Sequence, residues 1–175
     1  MTVIVDTNVI LVANDAHPDV SPECVLECIY RLQQLMQSGS IAIDDAYRIL
    51  GEYQHKTNPR KGKGVGDVFI KWIFTKLTDA QRVQQVSLTE LGEDQFAEFP
   101  VASLEAVFDR PDRKFAAVAN AHPDKPTIWQ AADCKWLDWW SELKANGVDV
   151  TFLCGDDVCG FYKKKFPKKP LPALP

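Results

Sequence analysis

Asp6 closes the apolar run Val3-Ile4-Val5 near the N-terminus. A buried strand that stops on a carboxylate must compensate the hydration the group loses. Two local explanations compete. Asp6 or Asn8 caps the next turn by accepting its N–H groups, or the carboxylate ligates a cation. Three further acids stand in comparable places. Glu52 lies beside Tyr53 on an amphipathic stretch. Asp112 precedes the small apolar run Phe115-Ala116-Ala117-Val118-Ala119, and Asp133 follows Thr127-Ile128-Trp129-Gln130-Ala131-Ala132. Hard divalent cations such as Mg²⁺ and Mn²⁺ take carboxylate oxygen and water. Neighbouring carboxylates without a cation resist ionising together, so convergence of these four acids would itself imply a metal. No histidine lies within several residues of Asp6, Asp112 or Asp133, which argues against an imidazole zinc site.

The elements that must position these acids follow from patterning. Val3–Val5 is apolar on both faces, as a buried parallel strand is. Ser21-Pro22-Glu23 opens a helix with Ser at N-cap, Pro at N1 and an acid in the first turn. Gly39 ends it, and Ile41–Ile43 reads as a short strand. Asp44 or Asp45 caps a second helix through about His55, with Tyr47, Ile49, Leu50 and Tyr53 on its apolar face and Glu52 beside them. Residues 58–64 form a loop by composition, and a helix runs from Asp67 to about Leu77. Val83–Leu88 reads as a strand, and residues 89–108 as short helices around Pro100. A helix capped by Asp112, a strand over 127–132, a helix over 136–146 and a last strand over 148–154 complete the order. Strands alternating with helices predict a parallel sheet covered on both faces. In such sheets ligands gather beyond the carboxyl ends of the strands. Asp6 and Asp133 end strands and Asp112 starts a helix, at that edge or next to it, and Glu52 lies on the second helix.

The 175 residues make one domain with a full core. Residues 1–160 are read as the domain and 161–175 as a loose Lys- and Pro-rich tail. Net charge is −4, but residues 54–66 carry Lys56, Arg60, Lys61 and Lys63 with no acid, and residues 160–175 carry five lysines with no acid. Two basic segments on an acidic body suit a polyanion near the acids; taken singly, each segment also reads as a solvated loop or tail. No apolar run approaches the roughly 18 residues of a membrane helix, and no secretory pattern opens the chain. The five cysteines show no paired zinc spacing. They read as free thiols, with Cys24 and Cys28 as small residues on one helix face, which suits a reducing cytoplasm.

The ordered set of motifs resembles the PIN domain, a fold of metal-dependent ribonucleases that includes the toxins of many toxin–antitoxin pairs. The matching pieces are Val3-Ile4-Val5-Asp6-Thr7-Asn8-Val9-Ile10, Ile49-Leu50-Gly51-Glu52-Tyr53, Asp112-Arg113-Lys114-Phe115-Ala116-Ala117-Val118-Ala119 and Ile128-Trp129-Gln130-Ala131-Ala132-Asp133. The resemblance implies a three-layer α/β/α sandwich on a parallel sheet of about five strands. It places Asp6, Glu52, Asp112 and Asp133 at the four acidic positions. Asp6, Asp112 and Asp133 then hold one or two Mg²⁺ or Mn²⁺ ions, and Glu52 orients water or completes the metal shell. The implied substrate is RNA, single-stranded, with Lys56, Arg60, Lys61 and Lys63 on its phosphates. A toxin would have an antitoxin protein as partner and no membrane; oligomeric state is left open. Residues 57–108 are longer than compact toxins need, and Asp109 competes with or shares the role of Asp112.

Two other readings remain. A haloacid-dehalogenase-type phosphatase also starts with a strand ending in Asp, and Gly155-Asp156-Asp157 looks like its acidic motif. Its general acid would fall at Asn8, which has no acidic proton. A catalytically inactive PIN-like binding module would use Trp136, Trp139 and Trp140 as an exposed patch, or pack them as an ordinary helix on the sheet.

Overall fold

The computed structural model describes residues 1–175. Val3, Ile4 and Val5 are wholly buried, and they form β1 (Thr2–Val5). Four more strands lie parallel to it: β2 (Ser40–Asp44), β3 (Val83–Val86), β6 (Thr127–Gln130) and β7 (Val150–Phe152). The spatial order is β3-β2-β1-β6-β7. The chain therefore builds outward from β1 on one side, then returns to build outward on the other. The reversal falls between β1 and β6, where an open parallel sheet leaves a crevice at its carboxyl edge. Asp6 directly follows β1 and Asp133 lies just beyond β6. The Asp6 N–H donates to the Trp129 carbonyl at 2.9 Å, so the crevice opens immediately above the last sheet bond.

Helices α1 (Thr7–Ala13), α2 (Pro22–Ser38) and α4 (Val65–Lys76) pack on one another, and α2 packs on β2. Helix α6 (Arg113–Ala121) lies over β1, β2 and β6. Right-handed crossovers running in opposite directions along a sheet put their helices on opposite faces, giving the expected three layers. Gly66 lets α4 close on α1, since a Cβ there would sit 2.4 Å from the Ile10 carbonyl oxygen. The Ser21 cap forms as read, its hydroxyl accepting the Cys24 N–H at 3.2 Å.

Several expectations are corrected. Residues 7–13, to which patterning assigns no element, are helical although Val9, Ile10 and Val12 favour a strand. Burial of those three against α2 and α4 outweighs propensity. Helix α3 (Arg48–Lys56) starts later than its capping acid. Asp44 still accepts the Arg48 and Ile49 N–H groups, both at 2.8 Å, across Tyr47, whose φ of 59° turns the chain into the helix. Residues 89–108 hold a hairpin, β4 (Glu90–Gly92) and β5 (Gln95–Phe96), turned at Asp94 with φ 54°, then one short helix, α5 (Ala102–Glu105). The helix read over 136–146 is a 3₁₀ turn, Cys134–Asp138, and then α7 (Trp140–Ala145). Trp136 and Trp139 are buried, and Phe108 stacks 4.2 Å from Trp139. That aromatic cluster is core, not an exposed patch.

The C-terminal lysines are also not loose from residue 161. Helix α8 (Gly155–Lys165) carries Lys163, Lys164 and Lys165 in its last turn. The segment beyond it is tied down where the Trp140 indole donates to the Ala173 carbonyl at 2.9 Å. Nor are all five thiols free: Cys24 and Cys154 form a disulfide that joins the start of α2 to the start of α8. No helix is long and apolar enough to cross a membrane.

Candidate metal centre

Asp6 is a cap in the structure, and it also stands within the group of acids. Its Oδ1 accepts the Asn8 N–H at 2.9 Å and the Asn8 side-chain amide at 2.5 Å, so it caps α1. It is also 4 % exposed and sits among the other acids. Burial pushes its carboxyl well above the ordinary range, and Asp112, Asp133 and Glu52 push in the same direction against the Asn8 N–H. Asn8 is the clamp of the edge. Its Oδ1 accepts the Ala131 and Ala132 N–H groups at 2.9 and 3.2 Å, fixing the end of β1 to the turn that leads to Asp133. The Tyr53 hydroxyl donates to the Val5 carbonyl, which ties α3 to the same point.

Glu52 projects from α3 into this edge. Thr7 Oγ1 donates to its Oε1 at 2.5 Å and Lys114 Nζ donates to its Oε2. Lys114 also donates to the Pro111 carbonyl, which holds the turn bearing Asp112. Asp112 has its carboxyl pushed up to about 7, first by burial, then by Asp133 and Glu52, with Lys114 opposing. Oxygens of Asp109, Asp112 and Asp133 all lie within 4.8 Å of one another. Asp133 accepts the Lys135 N–H at 3.0 Å, while the Lys135 ammonium pairs with Asp109.

The four acids read from sequence are thus brought together, and Asp109 joins Asp112 and Asp133. Five carboxylates face two lysines. Burial first, and then their mutual repulsion, raises the Asp6 and Asp112 carboxyls, and a divalent cation would offset both. An all-oxygen donor set suits Mg²⁺ or Mn²⁺. The chemistry of the residues therefore fits such an ion, with Asp109, Asp112 and Asp133 as the candidates set within 4.8 Å of one another and Asp6 electrostatically coupled to Asp112 and Asp133.

A cleft of about 700 Å³ opens beside the cluster, reached by Asp6, Glu52 and Asp133 but not lined by Asp109 or Asp112. Asp6, Thr7, Asn8, Glu52 and Asp133 line one part, and Lys56, Lys135, Lys164 and Lys165 another, with His17 and Phe161 also in its wall. Of the basic loop, only Lys56 reaches this cleft. Arg60 lines a separate hollow with Lys71 and Phe74. Lys61 and Lys63 are exposed residues that line neither. Sequence reasoning missed Lys114 and Lys135, although both stand in Asp-x-Lys, two residues after Asp112 and Asp133. It also missed α8 as a wall of the site, because the three lysines suggested a tail. Asp157 accepts the Ser21 N–H and hydroxyl, each at 2.7 Å, and Asp156 and Asp157 line a different hollow from Asp6.

No protein-family model, curated protein or solved structure matches the chain. Fold and cluster together define a three-layer α/β/α protein with an acidic pocket at its topological switch point.

Proposed function

We propose that the protein is a metal-dependent endoribonuclease of the PIN type, hydrolysing phosphodiester bonds in single-stranded RNA. The observation that carries the reading is the crowding of Asp6, Glu52, Asp109, Asp112 and Asp133 at the switch point, with Asp6 and Asp112 held well above the ordinary carboxylate range. A Mg²⁺ or Mn²⁺ ion bound there would activate water and stabilise charge on a scissile phosphate. Asp112 and Asp133, with Asp6, offer the oxygens that would hold it. Glu52 is fixed by Thr7 and Lys114, yet each of its oxygens keeps a lone pair for a water proton. Lys56, Lys164 and Lys165 bring positive charge to the same cleft, where a phosphate chain needs it.

The phosphatase reading loses support from the placement of Asp156 and Asp157. A toxin role rests on the resemblance, and a small adjacent reading frame encoding an antitoxin would support it. The direct test is incubation with RNA in Mg²⁺ or Mn²⁺, with and without chelator. Metal-dependent internal cleavage is expected. Chelator-resistant cleavage, or hydrolysis of small phosphate monoesters without any nuclease activity, would overturn the reading.

A further inference from the structure

The cleft holds two aromatic rings that the acid cluster does not use. His17 and Phe161 have ring centroids 5.8 Å apart at 37° and are both half-buried in its wall. His17 is steadied by a 2.8 Å bond between Nδ1 and the Pro18 carbonyl. Phe161 sits on α8, one turn before Lys164 and Lys165, so rings and ammonium groups share one wall. That wall is anchored twice to α2, by the bonds from Ser21 to Asp157 and by the Cys24–Cys154 disulfide.

A small phosphate would engage the lysines and leave the rings idle. A duplex would offer phosphates, but its base faces are already stacked on one another. An unpaired strand offers both, phosphates for Lys56, Lys164 and Lys165 and a flat face for the rings. We infer that Phe161 and His17 form a base-stacking subsite that selects single-stranded RNA, flanked by Lys56, Lys164 and Lys165 as phosphate contacts. The inference rests on the ribonuclease reading for the nature of the strand, but it concerns binding and is tested without cleavage.

The experiment compares two fluorescent strands of equal length, an oligouridylate and an abasic ribose-phosphate chain, by anisotropy with Ca²⁺ present. The intact protein is expected to bind the base-bearing strand roughly 5- to 150-fold more tightly, the range that one base stacked on an aromatic ring covers. Phe161→Leu keeps an apolar side chain against its neighbours and removes the ring. It should collapse that ratio, and His17→Ala should reduce it. Lys164→Gln with Lys165→Gln should instead weaken both strands alike and lower the salt slope by roughly 0.7 per lysine. Equal affinity for the two strands, no binding of either, or an unchanged ratio in Phe161→Leu overturns the subsite. A base-dependent strand that is bound and never cut in Mn²⁺ supports the subsite and overturns the nuclease reading instead.

Discussion

Asp6 is the residue at which cap and ligand part company under mutation. Asp6→Asn keeps an oxygen for the Asn8 N–H and removes one charge from a crowded site. The metal-free variant should melt at the same temperature as the parent or higher, while RNA cleavage falls by about a hundredfold or more. Mn²⁺ should raise the melting temperature of the parent by mass action and that of the variant much less. Survival of activity with equal response to metal would leave Asp6 as a cap alone. Asp112 supplies the matching pH dependence. Its folded carboxyl titrates at about 7 and its unfolded one at 3.8. Between those values the native state holds a proton that the unfolded state releases, so stability falls as pH rises through the window. Metal-free protein should therefore melt higher at pH 5 than at pH 8. With Mn²⁺ the order should reverse, because binding needs the ionised carboxylates. Asp112→Asn should flatten the metal-free trend in thermal scans.

Elements were legible where a pattern was local and repeated. The buried strands, the Ser21-Pro22 start of α2 and the fold class could be read directly. The four acids were found because each follows a strand, opens a helix or flanks an amphipathic face. The parts that escaped are those decided by tertiary packing. α1 is built of strand-forming residues held helical by burial. α8 contains Gly155, Gly160 and a lysine run, and folds because Val158 and Tyr162 are buried. The hairpin at residues 90–96 depended on one left-handed Asp94. Lys114 and Lys135 escaped because an Asp-x-Lys pair does not by itself mark its lysine as drawn into a pocket, and Lys114 is buried against Glu52 only once the chain is folded. Asp44 shows how an element reports on the site it serves. It is fully buried, receives two backbone N–H groups at the start of α3 and lies 3.5 Å from Arg48. Asp44→Ala should cost about 1–3 kcal/mol in chemical denaturation. It should also lower the apparent affinity for Mn²⁺, since α3 carries Glu52. Unchanged stability would show that water replaces the cap.

Over the whole molecule, the disulfide is the feature that sequence reasoning set aside. Five cysteines without zinc spacing were read as free thiols, whereas spacing carries no information about two residues 130 positions apart that meet in the core. Closing so long a loop restricts the unfolded chain, by up to about 5 kcal/mol in the chain-entropy account. Reduction should therefore lower the denaturant midpoint markedly, and a Cys24→Ala, Cys154→Ala double variant should match the reduced protein. The Cys28 thiol, 3.9 Å from the Cys154 sulfur, is pushed up to about 12 by burial, so it is a weak nucleophile toward the bridge. Equal midpoints with and without reductant would remove the bridge from the account of stability.

The position of β1 has a consequence in time. Val3 is paired with Ile41 on one side and Thr127 on the other, so the central strand is complete only after distant parts of the chain have met. Such non-local pairing makes for slow folding. The pocket beside it is finished at the same late moment, because Asp6 and Asp133 are neighbours only when β1 and β6 are. If that pairing is completed only after the folding transition state, a cation that needs both carboxylates has nothing to hold there. Mn²⁺ should then slow unfolding and leave the refolding rate almost unchanged, which stopped-flow traces would read directly.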